Sequence, residues 1–96
     1  MSVFADIQFN IQLQKVTFCN YQLTIDDKKM KLSFPQLLQL RNKINELTTA
    51  ENLENIIQNE NFVLLFIADR KDLVFLEVPK LLDLKEEISL CFYSYL

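Results

Sequence analysis

The chain has no histidine, no glycine and no tryptophan, and only two cysteines and two prolines in 96 residues. Each absence removes a class of chemistry. Without histidine there is no Ser-His-Asp or Cys-His nucleophilic site, and the commonest zinc ligand is missing. Without glycine there is no phosphate loop, no dinucleotide fingerprint and no EF-hand loop. Asn-Gly hairpins are excluded for the same reason. Cys19 and Cys91 lie far apart, so there is no Cys-x-x-Cys exchange pair. A small secreted domain carries more cysteines at framework spacing. Two reduced thiols fit a cytoplasmic protein.

Large charge of either sign is also missing. Formal net charge is -3 and the sequence pI is about 4.8. An acidic chain gives no electrostatic attraction to nucleic acid or to an anionic membrane. Lys15, Lys28, Lys29 and Lys31 form at most a weak basic cluster. No apolar run approaches the ~20 residues that span a bilayer. The first six residues lack the basic and apolar stretches of a signal peptide. The expected setting is therefore the cytoplasm, with no nucleic acid, membrane, metal or cofactor as partner.

Half of the residues are hydrophobic, enough for one packed domain over residues 1–96. The pattern of those residues carries the most information. Residues 21–47 and 63–91 read as the same unit: strand, charged turn, strand, proline, helix. Pro35 matches Pro79, and Leu37, Leu38, Leu40 and Ile44 match Leu81, Leu82, Leu84 and Ile88, all 44 residues apart. Upstream, the second copy has two extra residues in its turn. One such unit cannot bury its apolar face alone; two can bury each other's. The expected fold class is α+β: two ββα repeats forming a four- to five-stranded, mainly antiparallel sheet, with two main helices on one face.

Residues 7–14 alternate, Ile7, Phe9, Ile11 and Leu13 against Gln8, Asn10, Gln12 and Gln14. Period two predicts a half-buried strand. Val16 and Phe18 then break the register, which requires a bulge or turn. In the first unit, Tyr21, Leu23, Ile25, Met30, Leu32 and Phe34 point inward, and Gln22, Thr24, Lys31 and Ser33 outward. Ser33 and Gln36 have capping-box spacing beside Pro35. Residues 48–60 predict a short helical insert, capped by the Thr48-Thr49 pair and ended at Asn59 to Asn61.

The second hairpin differs. Val63, Leu65, Ile67, Val74, Leu76 and Val78 are its inward set, yet Phe62, Leu64, Phe66, Leu73 and Phe75 on the other face are also large and apolar. Where the first unit has Thr24 and Lys31, the second has Phe66 and Phe75. A hairpin apolar on both faces predicts that both are covered. Either residues 7–13 or the C-terminal residues 92–96 fold over it, or a second copy of the chain does, about a twofold axis. The aromatic C-terminus adds Phe92, Tyr93 and Tyr95 to the candidate interface with Leu64, Phe66, Leu73 and Phe75.

Carboxylates are the remaining candidates for chemistry. Asp26-Asp27 and Asp69/Asp72 sit in the two hairpin turns. Turn aspartates usually serve their own backbone, and the lysines and arginine beside them cancel the charge. The sequence therefore reads as a non-enzymatic protein–protein interaction or adaptor domain, homodimeric. The alternatives are a small apolar-ligand-binding domain and an enzyme using carboxylates or Cys19.

Residues 18–25 followed by Met30 to Pro35 and a leucine-rich helix resemble a family of small uncharacterised bacterial proteins. In that family a Cys-x-x-Cys precedes an Ile-Gln-Leu strand, and a second strand ends in a Leu-Ser/Thr-Pro helix start. The family's cysteine positions fall on Lys15 and Phe18 here, so no metal or redox role carries over. The resemblance implies the strand–strand–helix unit and a bacterial protein, and it implies no activity.

Overall fold

A computed structural model describes residues 11–68 and 71–93. The chain is α+β, with five strands and three helices among these residues. They run β1 (Ile11–Thr17), β2 (Asn20–Ile25), β3 (Lys28–Ser33), α1 (Phe34–Leu47), α2 (Ala50–Gln58), β4 (Phe62–Ile67), β5 (Asp72–Glu77) and α3 (Val78–Tyr93).

The five strands divide into two antiparallel sheets, β1-β2-β3 and β4-β5. This corrects the expected single sheet of four to five strands. Side chains, not a backbone ladder, join β3 to β5. Lys28 Nζ donates to the Leu73 carbonyl at 3.3 Å and lies 3.6 Å from the Asp72 carboxylate. Lys80, in the first turn of α3, donates to Asp26 Oδ2 at 2.6 Å and ties that helix to the β2–β3 turn. Among the described residues the helices number three, because the 48–60 insert forms α2.

Local chemistry explains the boundaries. Ser33 caps α1 and Gln36 returns the bond: the Gln36 N–H donates to Ser33 Oγ at 3.3 Å, and the Ser33 N–H to Gln36 Oε1 at 2.8 Å. Thr49 accepts from the Asn52 N–H and caps α2. In β1 the pairing with β2 shifts between Lys15 and Thr17. Val16 is the extra residue at that bulge and is exposed.

One apolar core runs through both sheets. Leu23, Ile25 and Leu32 of the first hairpin meet Leu37, Leu40 and Ile44 of α1 there. Leu65, Ile67 and Leu76 of the second hairpin meet Leu81, Leu84 and Ile88 of α3. The six strand residues are inward positions of the alternation, and the six helix residues recur at the three- to four-residue spacing of one helix face.

Element bounds recur at fixed offsets along the chain. The bounds of β3 recur in β5, and the start of α1 in α3, 44 residues on. Those of β2 recur in β4, 42 residues on. Positive φ occurs at Cys19 (64°) and Asp26 (55°), flanking β2, and again at Asn61 (64°) and Ala68 (59°), flanking β4. A chain without glycine makes these turns with residues that pay for the left-handed region, at roughly 1–2 kcal/mol each for a non-glycine side chain. Asp and Asn tolerate it best. Cys19 has no such excuse and is exposed. Cys19→Gly is expected to raise stability by about 0.5–1 kcal/mol, relief of strain exceeding the added entropy of the unfolded chain. A thermal or denaturant titration showing a loss would contradict the strain.

Candidate functional site

The candidate site is built by the register of β4 and β5. Leu64 stands opposite Phe75 and Phe66 opposite Leu73, so four large apolar side chains form a two-by-two block on one face. Phe62 extends it: its ring lies 4.6 Å from that of Phe75, centroid to centroid, at 33°. Opposite faces alternate along a strand. Because Leu65, Ile67, Val74 and Leu76 are buried on the helix side, this block faces away from the helices. On β2 and β3 the same face carries Gln22, Thr24, Lys31 and Ser33.

The block is not covered within the described chain. Relative exposure is 55% at Leu64, 60% at Phe66, 47% at Leu73 and 51% at Phe75. None of the described residues of the expected internal covers lies over the block. The described part of the first alternating strand, β1, pairs with β2 and packs on α3 instead. Residues 7–10 lie outside the described residues. Side chains of this kind bury ~150–250 Å² each when enclosed. Half-exposed, the four present on the order of 400 Å², within the range of the largest patch on a typical monomer, which is often functional.

Of the C-terminal candidates, Phe92 packs elsewhere. Phe92 is half-buried in a row of rings: its centroid is 6.0 Å from Phe34, which is 6.3 Å from Tyr21. The Arg41 guanidinium lies 4.6 Å over the Phe92 ring. Phe92 thus helps close the core between α1 and α3. Tyr93 is exposed, and Tyr95 lies outside the described residues.

A second surface feature went unseen in the sequence. Phe18, Tyr21, Phe34 and Phe92 line an apolar cleft of about 340 Å³, with Lys15 and Cys19 at its rim. The Lys15 ammonium sits 5.9 Å from the Phe18 ring centroid. These residues come from β1, the β1–β2 turn, β2, α1 and α3, so no local pattern could group them.

Among the described residues the carboxylates and thiols are dispersed. Asp26 anchors Lys80, and Asp72 faces Lys28; Asp69 lies outside the described residues. Burial pushes the Cys91 thiol above its ordinary pKa, Glu87 adds to the rise and Lys15 opposes it. A thiol held protonated is a poor nucleophile. Among the described residues no group of three or more His, Cys, Asp or Glu is placed to hold a metal ion. No helix among them is long and apolar enough to cross a membrane. No protein-family model matches this chain, and no curated protein and no solved structure matches it.

Proposed function

We propose that the chain is a non-enzymatic protein–protein interaction or adaptor domain of the cytoplasm. It forms a homodimer through the outer face of β4 and β5. The observation that carries this reading is the exposed block of Leu64, Phe66, Leu73 and Phe75. Such a block left in water forgoes roughly 1.5–3 kcal/mol for each large side chain that could be fully buried. A second copy is a self-complementary cover, because a twofold brings the same patch onto itself. The patch supplies about half of the ~800 Å² per partner of a standard interface. Polar residues around it, Glu77 among them, supply the rim.

The two ββα segments are, in this reading, repeats related by a rough internal twofold. Three observations support it: the 42- and 44-residue recurrence of element bounds, the paired positive-φ positions, and the Lys28–Asp72 contact at 3.6 Å. Lys28 and Asp72 are equivalent positions at the starts of β3 and β5. Equivalent residues touch where a twofold axis passes between them.

The 340 Å³ aromatic cleft favours a second reading, a site for a small apolar ligand. Hydroxyl-radical footprinting separates the two. The dimer predicts that Phe66 and Phe75 are protected at high protein concentration and labelled on dilution. A resident ligand predicts protection of Phe18 and Phe92 at every dilution. Full labelling of Phe66 and Phe75 at all concentrations would contradict the dimer.

A further inference from the structure

One core serves both halves of the chain, yet no backbone ladder crosses between them. Among the described residues no strand of 11–47 pairs with a strand of 62–93. Polar links between these halves run through side chains: Lys28 to Leu73 and Asp72, and Lys80 to Asp26. The larger contact is apolar. Leu37 and Ile44 of the first half are enclosed in one cluster with Leu81, Leu84 and Ile88 of the second. Such a contact forms equally well whether the two halves belong to one chain or to two.

The connector is close to an unbroken helix. Thr48 and Thr49 alone separate α1 from α2. Thr48 has φ −103° and ψ 16°, beside the helical region. Thr49 has a helical φ of −65°, and its ψ of 155° is the one large departure. Bringing that angle to about −42° fuses the two into a helix from Phe34 to Gln58, about 37 Å long at ~1.5 Å per residue. Two side-chain bonds keep the break. The Thr49 hydroxyl accepts from the Asn52 N–H at 3.3 Å, and Asn52 Nδ2 donates to the Glu46 carbonyl at 2.7 Å. Fusion gives these up and lets the N–H groups of Thr49 to Asn52 reach the carbonyls of Asn45 to Thr48. No residue of α2 is buried, and Leu53 packs on the core half-exposed, so little burial holds the connector bent.

We propose that the halves exchange between two copies of this chain. The two helices α1 and α2 fuse, and residues 62–93 of each chain dock on residues 11–47 of the other. Each globule of the exchanged dimer keeps the enclosed core and the Lys80–Asp26 pair of the closed chain. The exchange does not depend on the outer face of β4 and β5. Within one chain the tethered half has the higher effective concentration, so the closed form dominates in dilute solution. Undocking uncovers the enclosed leucines, which requires near-complete unfolding. The exchange is therefore set while the chain folds, and folded single chains stay single.

The test refolds the full chain carrying Phe75→Lys, which disables the outer face, from denaturant at micromolar and at millimolar chain concentration. A dimer is expected from the millimolar arm alone, and it persists on dilution. Carbodiimide coupling of Lys80 to Asp26, 2.6 Å apart, is expected to join two chains in that dimer and to stay within one chain in the monomer. Thr49→Ala removes the cap and is expected to raise the ratio of dimer to monomer about fivefold or more. Ala50→Pro is expected to abolish the dimer and leave the closed fold intact. Ala50 is exposed at the first position of α2, where proline fits; inside a fused helix proline disfavours the form by more than about a hundredfold. No dimer from the millimolar arm, a dimer that dissolves on dilution, one equally abundant in Ala50→Pro, or coupling confined to single chains within the dimer would overturn the proposal.

Discussion

Leu84→Ala is expected to destabilise the fold by about 2–5 kcal/mol. Leu84 is fully buried in the middle of α3, within the core shared by both sheets. Alanine there removes the transfer energy of the lost carbons and leaves a cavity that helices packed on two sheets cannot collapse to fill. Domains of this size have total stabilities on the order of 5–15 kcal/mol, so the loss takes a large share. A denaturant titration should show a lower midpoint with an unchanged slope. Leu82→Ala, two residues away and exposed, is the control and should stay within ~0.5 kcal/mol. A neutral Leu84→Ala would mean that the buried face of α3 is assigned wrongly.

Phe75→Lys is expected to give a folded monomer. In the single chain Phe75 is half-exposed, so a lysine there reaches water and costs the isolated fold little. Across a twofold, two lysines would be pressed into an apolar contact without partners. Burying a charge in that way is far costlier than the interface can offset. Circular dichroism should therefore match the parent while self-association is lost. Unfolding of the variant would show instead that the face is covered within one chain. Unchanged mass and stability would show that it is not buried at all.

The contrast between these two substitutions reflects what a sequence pattern can and cannot convey. Period two in residues 21–34 and the stripe Leu37, Leu40, Ile44 specify which face of each element turns inward, because a one-residue slip would expose the whole set. The capping pair Ser33 and Gln36 was legible for a similar reason: its two bonds span three residues and depend on nothing distant. Sheet membership was not legible. Whether β3 and β5 join by a ladder or by Lys28 reaching Leu73 and Asp72 depends on how the hairpins dock, and hydropathy is silent on that. The left-handed turns at Cys19 and Ala68 were hidden too, since neither residue is one that usually signals such a turn.

For the candidate site the division is similar. Leu64, Phe66, Leu73 and Phe75 stood out because they replace the polar outer residues of the first hairpin, and the register places them in one block. Phe92 was grouped with them on composition alone, and its place beside Phe34 under Arg41 comes from helix packing.

The outer face of β4 and β5 is the proposed interface between two copies of this chain. Light scattering across a concentration series, on the parent and on Phe75→Lys, tests it most directly. The expected mass is twice the 11.4 kDa chain for the parent, falling toward one chain on dilution, and that of a single chain for the variant throughout. A parent that stays at 11.4 kDa at every concentration would contradict it.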